Sequence, residues 1–97
     1  MKENRLLVLL LLISVTVMAQ VKGIVVDEFN KPISYVNIWV ENENNSTTSE
    51  ENGEFTINCQ PNKNLIFSAL GYEKKTVIAA ESEKVILKIK FWKFKLI

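Results

Sequence analysis

There is no histidine anywhere in the chain. That excludes a Ser-His-Asp triad and a Cys-His pair, because in both the imidazole is the base that activates the nucleophile. Cysteine occurs once, at Cys59. One thiol cannot close an intramolecular disulfide, and without an imidazole beside it there is no ligand set for zinc. Neither sign of charge prevails: 12 Lys and Arg stand against 11 Asp and Glu. A neutral balance argues against nucleic acid as a partner, since phosphate binding needs a basic surplus on one face. No apolar run after residue 19 approaches the roughly 20 residues that a membrane-spanning helix needs. Nor does any stretch there carry a helical period. Nothing in the sequence points to a cofactor.

What is present begins with an export-like N-terminus. Lys2 and Arg5 form a charged start, Leu6–Val17 is a leucine-rich apolar run, and Val17-Met18-Ala19 offers small residues where a signal peptidase reads. The expectation is a signal peptide over residues 1–19, with Gln20 as the mature N-terminus. The alternative is a membrane anchor, for which the run is short. No cysteine follows the run, which argues against a lipid anchor. The remainder is one small domain at most. An exported domain of this size with no disulfide fits a bacterial envelope at least as well as a eukaryotic secreted module.

From Gln20 onward the pattern is short strands between polar turns. Gln20–Val26 reads as a strand, with Gly23 marking a bulge or a close backbone approach. Asp27–Pro32 is a turn by its Asp, Asn and Pro. Ile33–Val40 reads as a second strand, with Val36, Ile38 and Val40 on the core face and Tyr35, Asn37 and Trp39 opposite. Glu41–Glu51 is a polar loop in which Ser46–Ser49 has room for a short edge strand. Asn52-Gly53 signals a tight hairpin of type I′. Behind it Phe55, Ile57 and Cys59 alternate with polar residues. Gln60–Asn64 is a turn, and Leu65–Leu70, apolar on both faces, reads as a central strand. Two more strands fall at Glu73–Ala79 and Glu83–Lys90. Such spacing indicates an all-β sandwich or barrel.

These residues resemble the carboxypeptidase regulatory-like domain. Gly23, Asp27, Pro32, Val36, Asn37 and Ile38 match its first half. Gly53, Phe55, Phe67, Ser68, Gly71 and Tyr72 match the hairpin and strand end of its second half. Ser49 stands where threonine is usual and Glu50 where aspartate is usual, both keeping the chemical group. The resemblance runs over residues 21–90. It implies a seven-stranded Greek-key sandwich of transthyretin (prealbumin) type with no catalytic activity of its own. It is similar to the domain that precedes TonB-dependent outer-membrane receptors and accompanies peptidases and surface proteins. No plug, barrel or protease follows here, so the expectation divides between a stand-alone module and a truncated remnant of a receptor.

Candidate chemistry is sparse. Cys59 lies on an apolar face and reads as a buried hydrophobe, not a nucleophile. Glu41, Glu43, Glu50 and Glu51 lack the spacing of a calcium loop, since aligning Gly53 puts Thr48 and Cys59 at ligand positions. No metal site is expected. Tyr35 and Trp39 form the candidate binding surface. Four apart on an outward strand face, they would stand about 13 Å apart and could stack on sugar rings or anchor a protein. The plain alternative is that a loop or the tail covers them.

The tail Phe91–Ile97 shifts its apolar phase at Phe91-Trp92, and no acid follows Glu83 while Lys84, Lys88, Lys90, Lys93 and Lys95 do. It reads as a segment touching anionic lipid, as a lysine-protected edge strand, or as the product of a frame change. The functional expectation is a non-catalytic, exported interaction module of the periplasm or outer membrane, auxiliary to TonB-dependent uptake, with a protein partner. A remnant without activity and a small carbohydrate-binding module are the alternatives.

Overall fold

The computed structural model describes residues 19–90, so the expected signal peptide and the tail at 91–97 lie outside the described residues. Seven strands follow in order: β1 Gln20–Val26, β2 Asn37–Val40, β3 Ser46–Thr48, β4 Glu54–Asn58, β5 Asn64–Ser68, β6 Lys75–Ile78 and β7 Lys84–Ile86. They form two sheets, ordered β4-β1-β7 and β3-β2-β5-β6. All neighbours are antiparallel except β1 and β7. The chain changes sheet between β1 and β2, β3 and β4, β4 and β5, and β6 and β7, as a sandwich with interleaved strands requires. No helix among the described residues is long and apolar enough to cross a membrane.

Period-two alternation builds the core. The inward residues of the three-stranded side, Val25, Phe55, Ile57 and Val85, meet Ile38, Val40, Leu65 and Phe67 from the other sheet, with Cys59 and Leu87 among them. Phe55 and Phe67 pack edge to face across the gap, ring centroids 5.4 Å apart. The apolar strand read around Leu65 is the interior strand β5, between β2 and β6. Its run ends sooner than the sequence suggests: strand pairing stops at Ser68, and Leu70 is wholly exposed on the following turn.

Of the bulge or close approach expected at Gly23, the structure shows the close approach. A Cβ there would stand 2.7 Å from Cζ of Phe55 and press on the backbone oxygen of Ser82. The bare α-carbon lets the connection from β6 to β7, a single 3-10 turn at Ala79–Glu81, cross β1. Ser82 is fully buried, and its hydroxyl donates to the Ala79 carbonyl at 2.7 Å.

Three local readings are corrected. The Asn52-Gly53 turn is not type I′: only Gly53 takes positive φ, at 84°. Gly53 N–H donates to Glu50 O at 2.9 Å and Glu50 N–H to Glu54 O at 2.8 Å, a three-residue loop with glycine at its left-handed position. The strands it joins, β3 and β4, belong to different sheets. The second strand begins at Asn37, not Ile33. Tyr35 takes φ 59°, which interrupts the extended chain. The interruption is held by Ser49, whose buried hydroxyl accepts from Val36 N–H at 2.7 Å and donates to Ile33 O at 3.0 Å. The last strand ends at Ile86, not Lys90. Leu87 N–H still donates to Val26 O at 2.9 Å, and after it the chain pairs with the β5–β6 connection, through a bridge between Tyr72 and Ile89 and a bond from Lys90 N–H to Gly71 O.

Candidate functional site

The outward face of the four-stranded sheet carries the one tryptophan among the described residues. Alternation along β2 buries Ile38 and Val40 and turns Asn37 and Trp39 outward. Register then fixes their neighbours. Ser46 on β3 and Ile66 on β5 flank Trp39, while Thr48 and Ser68 flank Asn37. The β2–β3 connection is a tight turn with Asn42 at φ 65°, closed by Val40 N–H donating to Asn45 O at 2.9 Å. It brings Glu43 and Asn44 beside the same face.

Together these residues line an open cleft of about 620 Å³, walled by Asn37, Trp39, Glu43, Asn44, Ser46 and Thr48. The side chains of Asn37, Asn44, Ser46 and Thr48 make no hydrogen bond to another described residue, whereas Asn45 is committed to the Asn58 carbonyl at 2.6 Å. Glu43 faces Lys63 at 3.4 Å, a solvated pair of small energetic weight. The Lys74 ammonium lies 5.8 Å from the centroid of the Trp39 ring, over its face.

Tyr35 is elsewhere. It sits on the turn before β2, 66 % exposed, and does not line the cleft. The alternation expected to put Tyr35 and Trp39 on one strand face breaks at the left-handed residue itself. The sequence reading missed Ser46, Thr48 and Lys74 as companions of Trp39. The signal was partly there: a short strand at Ser46–Ser49 folding back through a tight turn puts Ser46 opposite Trp39.

The thiol of Cys59 does not line the cleft. Cys59 is buried, 1 % exposed. Burial pushes its thiol above the ordinary value and the nearby Glu43 carboxylate adds to this, against a smaller opposite pull from Lys63. A thiol held protonated is a poor nucleophile. Among the described residues no group of three or more Cys, Asp and Glu side chains is placed to hold a metal ion.

The arrangement sets a partly exposed aromatic ring beside amide and hydroxyl side chains that make no hydrogen bond to another described residue. No curated protein matches the chain. A family model described as CarboxypepD_reg-like domain matches residues 21–93, a span that takes in all but the first residue of β1 and every later strand. Its members are β-sandwich modules of a regulatory, non-catalytic kind. With the sandwich, the Gly23 crossing and the Gly53 loop all in place, the chain belongs to the carboxypeptidase regulatory-like domain family.

Proposed function

We propose that this chain is a non-catalytic binding module of the bacterial envelope, exported by its N-terminal segment and auxiliary to TonB-dependent uptake. The observation that carries the binding reading is the Trp39 cleft. An aromatic side chain there stays partly exposed, among polar side chains that make no hydrogen bond to another described residue. The core beneath it is continuous between both sheets, which supports an autonomous domain over an inactive remnant. The envelope reading is supported by the leader-like sequence and by family membership.

Two measurements test this. Fractionation of a Gram-negative host expressing the full chain should recover a protein beginning at Gln20 in the periplasm or outer membrane; uncleaved protein in the cytosol alone sinks the export reading. Urea unfolding followed by tryptophan fluorescence and circular dichroism should give one coincident transition. A gradual loss of signal instead favours the remnant.

A further inference from the structure

The cleft also says what kind of ligand it fits. We infer that the outer face around Trp39 is a carbohydrate-binding site for a neutral polysaccharide chain, an inference that rests on the binding-module reading and adds its ligand class. Three observations carry it. The first is the pairing of one aromatic plane with amide and hydroxyl groups. A pyranose has an apolar C–H face, which stacks on an aromatic ring, and a rim of hydroxyls that both donate and accept. Asn37 and Asn44 supply amides, and Ser46 and Thr48 supply hydroxyls, around Trp39. Amide and hydroxyl side chains can answer either role of a sugar hydroxyl without a net charge.

The second observation is what surrounds the ring. A protein hot spot needs a desolvated apolar setting, and a flanking strand adds through unpaired backbone groups. Trp39 instead has Ser46 beside it on β3, with Ile66 on its β5 side, and it stands on β2, which is paired on both edges, so the ring is set among side chains and one strand in from the edge strand β3. The third is the balance of charge at the rim. The one charged side chain that lines the cleft, Glu43, is paired with Lys63 at 3.4 Å, so the walls present no uncompensated charge and suit an uncharged ligand better than a phosphate or an acidic peptide. Lys74 is exposed and reaches the ring as a flexible side chain, so a sugar displaces its ammonium from the stacking face.

The test is affinity electrophoresis of the full chain through native gels containing laminarin, xylan, amylopectin or galactomannan. Retardation by at least one of them is expected. Trp39→Ala should weaken that binding by about tenfold or more, as loss of a single stacking contact implies, and Trp39→Phe should restore part of it. Asn37→Ala should weaken binding less. Tyr35→Ala, outside the cleft, should leave it unchanged. Lys74→Ala, which clears the ring, should bind at least as tightly. Circular dichroism and urea midpoints of each variant confirm that folding is intact.

No retardation by any of the four polysaccharides overturns the inference. So does retardation that survives in folded Trp39→Ala. Loss in Lys74→Ala as complete as in Trp39→Ala points to an ionic contact and overturns the neutral ligand. If the folded chain ignores all four sugars yet retains an envelope protein only when Trp39 is present, the sugar assignment falls while the binding module stands.

Discussion

Phe55 and Phe67 meet edge to face, with centroids 5.4 Å apart and planes inclined at 74°. One ring comes from each sheet, so this pair is the centre of the contact that makes two sheets one domain. Phe67 is fully buried. Phe67→Ala should cost about 3–5 kcal/mol from lost burial and the cavity left behind. Small domains have only about 5–15 kcal/mol in hand, so the urea midpoint should fall sharply. A midpoint within error of the unaltered chain would show that the rings do not join the sheets.

Gly23 and Gly53 are both intolerant of a side chain, for different reasons. At Gly23 the backbone is ordinary and the obstacle is space, with Phe55 and the Ser82 carbonyl in the way. At Gly53 the φ of 84° is itself unfavourable for an L-residue, and the Val25 oxygen stands 2.7 Å from the Cβ position. Gly23→Ala should destabilise by about 1–3 kcal/mol or more. A double variant Gly23→Ala with Phe55→Leu should recover part of that loss by making room, whereas Phe55→Leu should not relieve Gly53→Ala. Equal behaviour of the two glycines in this cycle would contradict the assignment.

Ser49 is 1 % exposed, and its hydroxyl serves both sides of the irregular segment before β2. Ser49→Ala strands the buried Val36 N–H. The cost should be about 1–3 kcal/mol, and hydrogen exchange at Val36 should accelerate more than at Leu65. Unchanged protection at Val36 would mean that another acceptor replaces the hydroxyl.

The Cys59 thiol is pushed up mainly by burial. In the unfolded chain it loses its proton at a lower pH than in the folded one. Its contribution is therefore intact below the unfolded value, about pH 8.5, and is lost as the pH climbs through the raised folded value. Folded protein at pH 8 should react with a thiol reagent only as fast as it unfolds, and urea should expose the thiol fully. Immediate reaction without urea would show an accessible Cys59.

Much of the architecture was legible because alternation is a local property. Phe55, Ile57, Val36, Ile38 and Val40 could be assigned to a buried face from spacing alone, and all are buried. Gly23 signalled a bulge or a close approach without revealing that Ser82 was the neighbour, since that contact joins segments far apart in sequence. Tyr35 misled for a related reason. Its side chain suits a strand, but its backbone is set by Ser49, thirteen residues past Val36. Trp39 was found as a candidate, while its partners Ser46 and Thr48 required the β2–β3 register and Lys74 required the path after β5.

The parallel pairing of β1 with β7 has a consequence for how the molecule comes into being. Ile24, Val25 and Val26 stand in register with Lys84, Val85 and Ile86, so β1 waits for β7. Until that final segment arrives, Val25 lacks its neighbour Val85 and one flank of β1 stays open. The four-stranded sheet lies wholly before β7, whereas the three-stranded sheet is complete only with it. Closing it means joining residues near opposite ends of the domain, the kind of non-local step that slows β-proteins.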